Sequence, residues 1–134
     1  PALVISMATL TGAARVAVGP DLSPYFTDSE DVSGVLMQAG GRVADPLWRL
    51  PFHDAYEAMI EPGIADLDNA PKGGMAGAIT AALFLKEFVT DTKEWMHIDM
   101  MAWNLRNRAG RPRGGEAQGM RILYSLLEER YGTA

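Results

Sequence analysis

The chain has 134 residues, a formal net charge of -5, and 48% hydrophobic against 22% charged residues. That is the composition of one globular unit with a core, and its acidic balance argues against nucleic-acid or anionic-membrane partners, which need clustered positive charge. With no cysteine, and only His53 and His97 as imidazoles, disulfides, thiolate chemistry and a three-histidine metal site are excluded; no apolar run reaches the roughly 18 to 20 residues of a membrane span, so the reading is a soluble, cytoplasmic unit.

The apolar run from Ala2 to Ala8 predicts a strand buried on both faces inside a parallel sheet. Thr9 to Gly12 follows as a tight turn, and Ala13 to Gly19 predicts a second short strand. Pro20 to Pro24 reads as a turn leading into a third strand at Tyr25 to Thr27. Asp28 or Ser29 is placed to cap a helix, with Glu30 and Asp31 suited to the positive end of its dipole. Val32, Val35, Leu36 and Ala39 give that helix an apolar face, and Gly40-Gly41 are expected to stop it.

Pro51 introduces a short helix whose Phe52, Tyr56 and Met59 share a face, and residues 64–74 read as a loop. From Met75 to Val89 the sequence is apolar nearly all round, which predicts a buried helix whose alanines permit close backbone approach. Trp95, His97, Asp99 and Met101 alternate onto one face of a strand. Arg106 to Gly115 reads as an exposed loop, and Met120, Leu123, Tyr124, Leu127 and Tyr131 form the stripe of a closing helix. Strands alternating with helices indicate a layered α/β protein with a parallel or mixed sheet.

Ligands of such sheets sit beyond the carboxyl ends of strands. Two strand ends carry unusual residues here: Thr9 to Gly12, and Met101 to Asn104. Gly12 lets a substrate approach the main chain, and Leu10 offers a backbone carbonyl; the plain alternative is a tight turn. Asp66, Asp68 and Asn69 read as loop-capping polars rather than metal ligands. His97 and Asp99 read as hydrogen-bonded structural polars rather than an acid–base pair. A catalytic Pro1, of the kind that serves small tautomerases as a general base, lacks the clustered arginines that would accompany it.

Five ordered blocks carry a more specific likeness: Ala8-Thr-Leu-Thr-Gly-Ala13 with Val16-Ala-Val-Gly19, Trp48-Arg-Leu-Pro51, Ala65-Asp-Leu-Asp-Asn69, Gly77 to Leu85 with Phe88-Val89, and Trp95-Met-His-Ile-Asp99. Together they resemble the leucyl aminopeptidases, peptidase family M17. The resemblance implies a three-layer α/β/α domain with a mixed, mostly parallel sheet, of which residues 1–134 are the carboxyl-terminal portion. It implies a cytoplasmic, hexameric metalloaminopeptidase acting on peptide substrates. Two divalent cations, Zn or Mn, would work there with a bridging water, a lysine and an arginine-bound bicarbonate. The NTDAEGR motif and the other metal and catalytic residues belong upstream, so neither a catalytic residue nor a metal ligand is expected on this chain.

By the same likeness, Thr9, Leu10, Gly12, Ala70, Met101 and Asn104 are expected to contact substrate, while Asp66, Asn69 and Asp99 are structural. Ser6 stands where Asp or Asn is common, Ala70 where a larger aliphatic residue is frequent, and Met101 where a small one is common. Asn104 replaces a less polar group. Two other readings accompany this one: a stand-alone binding or assembly module derived from the family, and the Pro1-dependent tautomerase.

Overall fold

A computed structural model describes residues 1–132. The first strand, β1 (Val4–Ala8), pairs in parallel with β4 (Trp95–Asp99), Ala8 lying opposite Asp99. β4 also pairs antiparallel with β2 (Ser23–Thr27), which in turn runs parallel to β3 (Leu47–Arg49), giving the order β1-β4-β2-β3. The sheet is mixed, with two of its three pairings parallel, as expected. The Ala2–Ala8 run, expected inside the sheet, is an edge strand here, and its Met7 is 40% exposed. The Leu47–Arg49 strand was not foreseen; three residues are too few to show a period.

Helices cover both faces. On one side α2 (Glu30–Arg42) and α4 (Met120–Tyr131) close over Tyr25, Met96 and Ile98 through Val32, Leu36, Ala39, Ile122, Leu123 and Leu126. On the other side α1 (Gly12–Val18) and α3 (Gly77–Lys86) bring Ala14, Ala78 and Ala82 onto Phe26. Successive strand residues point to opposite faces, so Tyr25 and Phe26 belong to different cores. A 3-10 helix (Asp54–Met59) packs beside α3.

Residues 13–18, expected as a strand, are helical. The Thr11 hydroxyl accepts the Ala14 N–H at 3.1 Å and caps the first turn, while Gly19 closes the end at φ +79°. The second helix begins as expected, with Ser29 accepting from the Val32 N–H at 3.2 Å. It does not stop at Gly40-Gly41 but runs to Arg42. Gly40 serves packing instead: a Cβ there would lie 3.3 Å from Pro46 Cα.

The third helix occupies Gly77–Lys86, shorter than the expected 75–89; none of its residues is exposed, and Ala78, Thr80, Ala82 and Leu83 are buried. The expected close backbone approach is made to α1, where a Cβ on Gly77 would fall 3.1 Å from Ala13 Cβ. In α4 the buried residues are Ile122, Leu123 and Leu126; of the expected stripe, Met120, Tyr124, Leu127 and Tyr131 face outward. The helix carries two apolar stripes, and contact with α2 selects the one that is buried. The 106–115 segment is mostly loop, joined at its end by a two-residue ladder between β5 (Trp103–Asn104) and β6 (Gly114–Gly115).

Candidate functional site

Parallel pairing brings the carboxyl ends of β1 and β4 to one edge of the sheet, where Met100 N–H donates to the Ala8 carbonyl at 2.8 Å. The chain leaves this edge as Thr9–Gly12 on one side and Met101–Asn104 on the other. The first turn is held by the Asp99 carboxylate, which is fully buried. One oxygen accepts the N–H groups of Leu10 (3.0 Å) and Thr11 (3.1 Å), and the other accepts the Thr11 hydroxyl at 2.6 Å. Thr11 then caps α1, so strand, turn and helix are fastened through one buried carboxylate. The Leu10 carbonyl and Gly12 amide take no part in these bonds, and Thr9, Leu10 and Gly12 are exposed.

His97 lies on the same face of β4, fully buried, with its ring near those of Phe26 (6.3 Å between centroids) and Trp95 (6.4 Å). Its Nδ1 is 2.9 Å from Ser6 Oγ, and among the described residues its Nε2 has no partner. Burial pushes its pKa below the ordinary value of 6.5, opposed by the Asp99 charge and by Ser6. Asp99 has its acceptors committed to the turn. The two residues therefore sit as structural polars and not as a hydrogen-bonded acid–base pair.

The Met101–Asn104 segment is shaped by Gln118, whose importance the sequence did not disclose. Its oxygen accepts the Ala102 N–H at 2.8 Å, and Ala102 is held at φ +51°. Met101 is half-buried. Asn104 is 3% exposed, and its amide donates to the carbonyls of Arg111 (2.8 Å) and Pro112 (2.9 Å), folding the hairpin onto itself.

Beside the Thr9–Gly12 turn a cavity of about 390 Å³ opens between α3, the 3-10 helix and the 68–75 loop. Leu10 and Thr11 line it together with Met59, Ile60, Asn69 and Phe84. Ala70 is exposed on the loop between lining residues Asn69 and Pro71, and its N–H donates to Asp68 Oδ1 at 2.9 Å. Met101 does not line this cavity, and Asn104 borders a separate hollow with Pro20, Asp21 and Arg106. The two segments thus share a sheet edge but open onto different spaces. Among the described residues no three of His, Asp and Glu lie close enough together to hold a metal ion.

Residues 1–124 match the family model described as the cytosol aminopeptidase family, catalytic domain. A probable cytosol aminopeptidase of Syntrophotalea carbinolica is 43% identical over 131 residues, covering 96% of this chain and 26% of the relative. Among solved structures, the cytosol aminopeptidase from Coxiella burnetii superposes with a TM-score of 0.90 at 46% identity, covering 98% of this chain and 29% of that one. The bottromycin maturation enzyme BotP in complex with Mn superposes at 0.87 with 30% identity, covering 96% and 29%. The chain thus spans just over a quarter of the length of its relatives.

Proposed function

The chain belongs to the cytosol aminopeptidase family, and on that premise we propose that residues 1–134 form the carboxyl-terminal portion of the catalytic domain of a metal-dependent aminopeptidase. The whole protein would release amino-terminal residues from peptides in the cytoplasm, as a homo-oligomer of the hexameric kind. The single observation that carries the role of this portion is the Asp99 clamp. It fixes the Thr9–Gly12 turn while leaving the Leu10 carbonyl and Gly12 amide outside its hydrogen bonds. Those main-chain groups bind the backbone of a peptide, and Gly12 has no side chain to obstruct its approach.

By the family likeness, Thr9 and Ala70 would flank that peptide on the side of the cavity, and Met101 and Asn104 from across the shared sheet edge, Asn104 through the hairpin that its own amide closes. The two cations, Zn or Mn, would supply Lewis acidity and a water of lowered pKa. By the same likeness, their ligands would lie in the part of the protein that this chain, about a quarter of the length of its relatives, does not span. An upstream segment also suits β1, which pairs on one side only and leaves a half-buried apolar edge strand.

The test uses the full-length protein loaded with Mn or Zn and assayed on aminoacyl amides and short peptides. Metal-dependent release of the amino-terminal residue is expected. No turnover by the folded, metal-loaded protein would overturn this reading in favour of a binding or assembly module. Within the active enzyme, Met101→Ala should raise kcat/KM for amino-terminal Phe relative to Ala by roughly tenfold, the order of effect of a methylene or two in such a pocket. An unchanged ratio would remove Met101 from the pocket.

A further inference from the structure

We propose that Gln118 is a positioning residue that sets the pocket wall at Met101; the proposal rests on the aminopeptidase reading above. Gln118 is 9% exposed and lies just before α4. Its oxygen accepts the Ala102 N–H at 2.8 Å and the Ser23 hydroxyl at 3.2 Å, and its nitrogen donates to the Pro20 carbonyl at 2.8 Å. One planar amide thereby ties the segment after β4 to the start of β2 and to the turn before it. A carboxamide suits this position because it accepts through one atom and donates through the other from a rigid plane.

Ala102 needs such a tie. At φ +51° it occupies the left-handed region, which a residue with a Cβ seldom adopts unless its surroundings impose it. Its N–H is held by Gln118, and its carbonyl accepts the Glu116 N–H at 3.0 Å. Both main-chain groups of the residue after Met101 are thus fixed by the segment preceding α4. That segment is itself anchored, because the buried Asp45 carboxylate accepts the N–H groups of Gly119 and Arg121, each at 2.9 Å. Gln118 touches no reacting atom in this scheme. It acts through the backbone to place Met101, so its loss should alter selectivity and substrate affinity rather than turnover in general.

The test compares phenylalanyl and alanyl anilides on the full-length, Mn-loaded enzyme as parent, Met101→Ala, Gln118→Met, Gln118→Glu and the double variant Met101→Ala/Gln118→Met. Gln118→Met keeps the length and removes every hydrogen bond; it should shift the Phe-to-Ala ratio of kcat/KM by roughly fivefold, mainly through KM. Gln118→Glu keeps the acceptor toward Ala102 but sets a carboxylate oxygen against the Pro20 carbonyl, so the ratio should again depart from that of the parent. The double variant should match Met101→Ala alone, since no side chain is left to misplace.

If Met101→Ala moves the ratio while Gln118→Met leaves it unchanged, or if the two shifts multiply, the positioning role is overturned and the pocket reading stands. If Met101→Ala itself has no effect, the pocket reading fails and the role of Gln118 fails with it. Should Gln118→Met not fold, Gln118→Asn withdraws the acceptor from Ala102 while keeping an amide. It must then shift the ratio by a comparable factor, and an unchanged ratio overturns the proposal.

Discussion

The two faces of the sheet are closed by different means. Under α2 and α4 the core is a continuous cluster of large side chains, including Leu36, Met96, Ile98, Ile122 and Leu126, all at most 2% exposed. Under α1 and α3 the buried apolar cluster is Ala14, Ala78 and Ala82 against a single Phe26, and polar groups take over: Asp99, His97 and Thr80 are buried there. Small residues leave room, and the cavity beside Leu10 and Thr11 lies on this second side. One face holds the sheet together by area removed from water; the other holds a turn in place by directed hydrogen bonds and stays partly open. A domain that must present main-chain groups to a ligand needs the second kind of face, and the first kind supplies its rigidity.

The largest effect expected from breaking this contrast is on the filled face. Leu126→Ala removes a fully buried side chain from the α2–α4 cluster and should cost about 3 kcal/mol, within the 2–5 usual for such cavities. Ala82→Gly on the other face should cost only about 1 kcal/mol, mostly helix propensity. Urea unfolding of the full-length protein, with hydrogen exchange at β2 and β4, separates the two. Equal losses would show that the faces do not differ as described.

Next in size is Asp99→Asn, which keeps the shape but removes the charge and turns one acceptor into a donor. Three donors of the Thr9–Gly12 turn then compete for one oxygen, at a cost of about 2 kcal/mol. Hydrogen exchange should quicken at Leu10 and Thr11 well before it does in α4. If those two amides exchange as in the parent, the turn is held by something other than this carboxylate.

What the sequence disclosed follows the range of the interactions. The α2 cap and β4 were readable because Ser29, the acidic first turn and the alternation from Trp95 to Asp99 are local signals. The strand-end position of Thr9–Gly12 was readable because parallel sheets place ligands there. The α1 helix was not, since seven residues ending in Val16-Ala-Val18 carry strand propensity and no full helical period. Nor could the sequence choose between the two apolar stripes of α4, or reveal that Asp45 reaches the amides of Gly119 and Arg121, 74 and 76 residues away. The amide of Asn104 was read as pocket polarity, but its partners are carbonyls of its own hairpin.

The smallest expected effect sharpens the same contrast through pH. At the amino end of β4, opposite Asp99, the Glu94 carboxylate accepts from the Arg130 guanidinium, and from Ser29 Oγ at 2.5 Å. It thus ties the end of α4 to the cap of α2, both on the filled face. These hydrogen bonds, Arg130 first and then Ser29, lower its pKa from 4.5 to about 2. A carboxylate so lowered adds stability in full above 4.5, and the gain fades as pH falls from 4.5 through about 2. The pair is partly exposed, so the contribution should be about 1 kcal/mol rather than the full value of the shift. His97, on the open face, begins to respond at a higher pH. Buried neutral, it resists the proton that the unfolded chain accepts below 6.5, so its contribution declines from there through its lowered folded value. Acid should therefore weaken the polar face first and the α2–α4 tie second. Urea midpoints of metal-free protein, followed from pH 7 to pH 2, should fall in both windows for the parent. For Glu94→Gln the unfolding free energy from the same curves should start about 1 kcal/mol lower and lose Glu94's share of the decline below 4.5. Parallel curves for parent and variant throughout that lower window would show that Glu94 does not fasten the filled face.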